Sequence, residues 1–243
     1  MSRLIDAHFH LDFYKNHEKI FKEINTLNQY TLCVTNSPEV YLSCKRLYQE
    51  TKYVKFAVGF NPKMVNEQSF DVRNFNYAFK TSNYIGEVGL DFSKKYYSLK
   101  DTQIKIFEQI VKIASCENKL LNIHSYMAEK VVFDILARYK IRRSIIHWYT
   151  GDAQCMEELI KLGCYFSINC NMVESANRCK LLKKIPLNRI LIESDGPFTK
   201  VNNKKYEPSL LDESYSVIEN ALEVPNLRNI VFENFKELLI EYS

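Results

Sequence analysis

Eight short apolar runs, alternating with stretches of helical spacing, constrain this chain more than anything else in it. The runs are Leu4-Ile5-Asp6-Ala7-His8, Thr31–Thr35, Val54–Gly59, Tyr84–Asp91, Leu120–His124, Ser144–Trp148, Cys164–Asn169 and Arg189–Asp195. Between them, residues 16–30 carry Ile20, Ile24 and Leu27 on one helical face, and Ser37-Pro38 opens a second helix with a capping residue and a first-turn proline. Val72, Phe75 and Phe79 mark a weaker helix, and Asp101 is expected to cap one carrying Ile104, Phe107, Val111 and Ala114. Further helices are expected over 127–139, over 153–162 with Gly163 as the stop, over 210–222 and over 228–241. Strands alternating with helices predict an α/β chain with a parallel sheet closed as a (β/α)8 TIM barrel. No linker-like composition divides the 243 residues, so a single domain over 1–243 is expected.

In such a barrel the C-terminal ends of the strands carry the chemistry. His8 and His10, spaced i and i+2, point to one side of the first strand. Glu87, His124, His147 and Asp195 fall at or near the ends of the fourth, fifth, sixth and eighth runs; of the five histidines only His17 lies elsewhere. Taken singly, each has an ordinary explanation: a structural histidine, a carboxylate satisfied by backbone donors, or a turn-forming aspartate before Gly196-Pro197. Taken together, four imidazoles and two carboxylates are a ligand set for two divalent ions, Mg²⁺, Mn²⁺ or Zn²⁺. Catalytic metal sites keep a position open for water, and ions about 3.5–4 Å apart can clamp both the attacking and the scissile oxygens. That chemistry hydrolyses a phosphate ester, an amide or a lactone, and the spacing does not choose among them. Glu193 is expected to support a ligand or to sit as a charge at the barrel mouth. Asp6 and Asp91 are expected behind the ligands or in turns, and Trp148 and Tyr149 either pack at the rim or stack on a base.

Composition narrows the field. Lys+Arg 33 against Asp+Glu 29 gives +4, which neither demands nor excludes a polyanion, although Arg178, Lys180, Lys183, Lys184, Arg189, Lys200, Lys204 and Lys205 crowd the last third. Seven cysteines without a Cys-x-x-Cys argue against a disulfide framework or a zinc ribbon and for reduced thiols in a cytoplasmic protein. No run approaches membrane-spanning length, and no export segment is expected.

Five ordered blocks carry a resemblance: residues 6–12 (Asp-Ala-His-Phe-His-Leu-Asp), 85–91, 123–125, 146–151 and 191–197. They resemble the motifs of the TatD family of metal-dependent DNases, amidohydrolase-type TIM barrels; Gln103, Phe107, Glu207-Pro208 and Asn234 extend the similarity over nearly the whole chain. The resemblance implies that His8, His10 and Asp195 hold one ion, His124 and His147 the other, with Glu87 bridging. Glu87 and Asp195 would take the catalytic roles. It further implies hydrolysis of DNA phosphodiesters, often from the 3′ end of single strands. Two departures stand out: Tyr126 where the family usually has arginine, and Asn61 before Pro62 where it usually has histidine. The block from His147 to Gly151 is also similar to the TatD-type component of Qat anti-phage defence systems, which implies other defence proteins as partners. A small-molecule amidohydrolase, or a partner-dependent subunit of a defence assembly, would suit the same ligands.

Overall fold

β1 (Ile5–Phe9) is buried at every position, and the elements that follow keep the expected alternation. The computed structural model describes residues 4–240. After β1 come α1 (His17–Thr26), β2 (Tyr30–Cys33), α2 (Pro38–Leu47), β3 (Val54–Phe56), α3 (Val72–Phe79), β4 (Tyr84–Asp91) and α4 (Lys100–Glu117). The chain continues through β5 (Leu120–Tyr126), α5 (Glu129–Arg138), β6 (Ser144–His147), α6 (Ala153–Leu162), β7 (Tyr165–Ile168), α7 (Ala176–Leu182) and β8 (Ile190–Ile192). A small antiparallel hairpin, β9 (Lys200–Val201) and β10 (Lys204–Lys205), precedes α8 (Leu211–Leu222) and α9 (Leu227–Ile240). Glu241, expected in the last helix, lies outside the described residues.

Internal contacts gather into two units, each assembled from separated parts of the chain. The first takes the described residues of Met1–Cys33, Gln49–Lys55 and Phe166–Ser243. In it β1 and β2 pair in parallel, β7 pairs in parallel with β8, and the segment after β8 runs beside β1. Asp195 N–H donates to the His8 carbonyl at 2.9 Å, and His10 N–H donates to the Gly196 carbonyl at 3.0 Å. Ile5, Phe9, Leu32, Phe166, Ile192, Ile218 and Val231 form its core. Asn234 on α9 donates to the Leu187 and Ile190 carbonyls at 2.7 and 2.8 Å, tying that helix to the start of β8.

The second unit takes Val34–Tyr48 and Phe56–Tyr165. Here β4, β5 and β6 pair in parallel in that order. Phe75, Phe79, Phe107 and Val111 on the helices and Ile85, Val88, Leu121 and Ile123 on the strands are all essentially inaccessible. Each such side chain contributes about 1.5–3 kcal/mol relative to exposure, so these faces hold the strand ends in place.

Boundaries differ from expectation where a local hydrogen bond decides them. Ser37 caps α2 as expected, accepting from Val40 N–H, and Gly163 ends α6 at φ 100°. Asp101 does not cap α4: Leu99 holds that position, and Asp101 lies in the first turn, where its charge favours the exposed amides. Regular strand ends at Ile192 rather than Asp195 because Ser194 N–H turns to the Asp6 carboxylate, and Asp195 adopts φ 47°. Among the described residues no helix is long and apolar enough to cross a membrane.

Candidate metal centre

In the first unit, β1 delivers His8, the residue just after it is His10, and the turn after β8 delivers Asp195; the three are buried, at 0%, 3% and 5% exposure. Their ligand atoms lie within 4.8 Å of one another. The two Nε2 atoms face each other at 3.1 Å, and each lies 3.5 Å from Asp195 Oδ1. Two imidazole nitrogens at that distance beside a carboxylate must share a proton or a cation, since two lone pairs would repel in a medium of low dielectric. The donor set therefore fits a divalent ion.

Behind this cluster Asp6 accepts from Ser194 N–H at 2.8 Å and from Ser194 Oγ–H at 2.6 Å. Burial pushes the Asp6 carboxyl up to about 7 against the pull of those bonds. Its place is the expected one: it fixes the turn that carries Asp195. Glu193 is wholly buried rather than at a rim, held by Ser167 Oγ–H and by Asn169 Nδ2 at 2.8 Å. It braces β8 against β7.

The second unit has its own cluster. Glu87 Oε1, on β4, lies 2.9 Å from His124 Nδ1 on β5 and 3.1 Å from His147 Nε2 at the end of β6; the two nitrogens are 3.1 Å apart. Three donors converging from three neighbouring strands again fit one ion. Asp91 Oδ2 stands 3.1 Å from the other nitrogen of His124, the relation that orients a ligating imidazole. Burial would raise the Asp91 carboxyl, but hydrogen bonds with His124 and Ser93 and the His124 charge outweigh it and hold it at about 2. Gln103 reads the Asp91 backbone from α4: its Oε1 accepts from Asp91 N–H at 2.8 Å, and its Nε2 donates to the Asp91 carbonyl at 3.0 Å.

Sequence reasoning missed one partner here. Asn61, noted only as a departure from the family's usual histidine, donates from Nδ2 to Glu87 Oε2 at 2.6 Å. No periodicity marks it; the signal available was its place at the end of the third strand. Tyr126 is 41% exposed at the end of β5. Tyr149 is fully buried, with its hydroxyl donating to the Asp152 carbonyl at 2.7 Å, so it packs and does not stack on a base; Trp148 is half-buried.

Two such donor clusters at the strand ends of an α/β chain define a metal-dependent hydrolase. The sequence pattern of the TatD related DNase family matches residues 5–240, and the chain belongs to that family. An uncharacterized metal-dependent hydrolase of Buchnera aphidicola is 27% identical over 272 residues, covering 97% of this chain and 98% of its own. The human deoxyribonuclease TATDN3 is 24% identical over 258 residues, with 97% and 94% covered. The crystal structure of a TatD homolog from Escherichia coli matches 100% of this chain and 99% of its own with a TM-score of 0.85 at 19% identity. That likeness gives the fold, an α/β chain of the TIM-barrel type, as the strand and helix alternation predicted.

Proposed function

We propose that this hydrolase is a deoxyribonuclease that cleaves phosphodiester bonds of single-stranded DNA from the 3′ end, using two divalent ions. The observation that carries the reading is the pair of buried donor sets, His8/His10/Asp195 and Glu87/His124/His147, in a chain of a DNase family. Its relatives named as deoxyribonucleases point to the substrate. We assign the first set to one ion and the second, with Glu87 as its carboxylate, to the other.

Bound divalent ions would neutralise charge on the non-bridging phosphate oxygens and lower the pKa of water. The protein's own part is orientation. In this reading Asp195, in the turn held by the Asp6–Ser194 hydrogen bonds, accepts a proton from the attacking water. Glu87, held through Asn61, keeps one oxygen for the metal side. Asp91 fixes the His124 ring. Exposed Lys200, Lys204 and Lys205 on the β9–β10 hairpin offer charge for phosphates flanking the cleaved bond. A place in anti-phage defence, with other defence proteins as partners in the cytoplasm, is supported by the His147–Gly151 block alone.

The test is single-stranded DNA labelled separately at its 5′ and 3′ ends, incubated with metal-stripped protein to which Mg²⁺, Mn²⁺ or Zn²⁺ is returned. Metal-restored release of the 3′ label first, falling about 10²-fold or more in Glu87→Gln, is the expected result. An unchanged rate in both Glu87→Gln and Asp195→Asn would overturn the mechanism.

A further inference from the structure

Two exposed phenylalanines stand in the same relation to the first donor cluster. Phe13 lies three residues after His10 and donates its N–H to the His10 carbonyl at 3.3 Å; Phe198 lies three residues after Asp195 and donates to the Asp195 carbonyl at 2.8 Å. Each ring is thus tied by one hydrogen-bonded turn to a candidate metal ligand. The rings meet edge to face, with centroids 5.0 Å apart at 69°, and each stands 5.4 Å from the His10 imidazole. They remain 46% and 52% exposed. Isolated exposed apolar side chains are ordinary, but two that are packed on one another and anchored beside a buried donor set form a built surface.

Resting on the nuclease reading above, we infer that Phe13 and Phe198 form a stacking subsite for one nucleobase of the strand cleaved at the His8–His10–Asp195 cluster. An edge-to-face pair leaves aromatic faces open to a flat ring, and base stacking on aromatic side chains is tolerant of sequence. The surroundings suit a nucleotide better than a protein partner. Asp12 is partly exposed, and Lys15, Asn16 and Lys200 are exposed, so polar residues flank both rings along the chain. The chain leaving Phe198 runs directly into the hairpin that exposes Lys200, Lys204 and Lys205, which supplies countercharge for the backbone of the same strand. A base can reach these rings only when it is free of its duplex partner, so the subsite itself selects single strands or frayed ends.

The experiment uses Phe13→Ala, Phe198→Ala, the double variant and the pair Phe13→Leu and Phe198→Leu, which keeps apolar bulk against His10 but presents no ring. Steady-state kinetics on a single-stranded oligonucleotide is combined with a series in which one abasic residue is moved along the strand. Metal content per chain and binding of fluorescently labelled strand to metal-stripped protein are read in parallel. The double variant is expected to raise KM, and the dissociation constant of the metal-stripped protein, about tenfold, with kcat within about twofold and metal content intact. The leucine variants should behave the same way. An abasic residue at one position should cost the wild type a similar factor, and the two losses should not add. Unchanged KM in a protein that cleaves DNA, additive losses, or metal loss on ring removal would each overturn the subsite and leave the nuclease standing. Unchanged KM together with loss of self-association in Phe198→Ala would mark the rings as a protein-contact surface, again overturning it. A wild type that cleaves no DNA with any metal would remove the nuclease reading itself.

Discussion

Asn61 Nδ2 donates to Glu87 Oε2 at 2.6 Å, while the other carboxylate oxygen, Oε1, faces His124 and His147 at 2.9 and 3.1 Å. One oxygen of Glu87 is therefore held and the other presented. Such a partner orients a ligand without touching the ion, and removing it typically costs 10–100-fold in metal affinity. Asn61→Leu should weaken metal binding by about that factor in a competition titration against a chelating dye, with little change in melting temperature for the metal-free protein. Asn61→His, which restores a donor, should recover part of the loss. Equal affinity in the wild type and Asn61→Leu would show that Glu87 is held by other means.

Gly89 adopts φ 140°, and a Cβ built on it would lie 2.0 Å from the His124 carbonyl oxygen. Neither the backbone conformation nor the space admits a side chain, because the obstacle is the backbone of β5 and not a flexible side-chain end. Gly89→Ala should cost about 3 kcal/mol or more in urea unfolding. It should also spoil the second donor cluster, since Gly89 pairs with His124 in the β4–β5 register. A loss below about 1 kcal/mol would mean that the two strands separate without penalty there.

The donors and the element order were legible because both rest on short-range signals. An i, i+2 histidine pair places two imidazoles on one side of a strand whatever surrounds it, and the alternation of apolar runs with helical spacing survives errors of several residues at each boundary. The supporting residues were not legible in the same way. Asn61 reaches Glu87 across 26 positions, and Asp6 reaches Ser194 across 188, so neither contact leaves a periodicity to read. Asp101 shows the converse failure: a good capping residue lay two places past the cap position, and the chain began the helix at Lys100 with Leu99 as its cap. Tyr149, equally suited by composition to stacking or packing, was settled only by its burial.

Cysteine chemistry separates one thiol from the rest. Cys116 is exposed and Cys179 half-buried, whereas Cys33, Cys44, Cys155, Cys164 and Cys170 are buried. Burial pushes the thiols of Cys155 and Cys170 up to about 11, so at pH 8 these two stay protonated in the native fold. Ellman titration of the native protein at pH 8 should show one fast thiol, abolished in Cys116→Ser, and a slower one from Cys179; the remainder should react only on unfolding. Fast reaction in Cys116→Ser would place another sulfur at the surface.

Asp91 ties acid stability to the second cluster. Its carboxyl titrates at about 2 in the folded chain against 3.8 ordinarily, burial being outweighed by hydrogen bonds with His124 and Ser93. Lys63 Nζ, 3.7 Å from Asp91 Oδ2, is a further neighbouring cation, though partly exposed to solvent. A carboxyl depressed on folding stabilises the native state above its unfolded pKa, and that stability is lost as the pH falls through the folded pKa. In metal-stripped protein the unfolding free energy of the wild type should therefore exceed that of Asp91→Asn at pH 5 to 6, and the gap should close as the pH falls from about 4 to about 2. Urea unfolding at a series of pH values measures it directly. A gap independent of pH over that range would mean that the variant's cost comes from lost hydrogen-bond geometry at His124 and not from the ionised carboxylate.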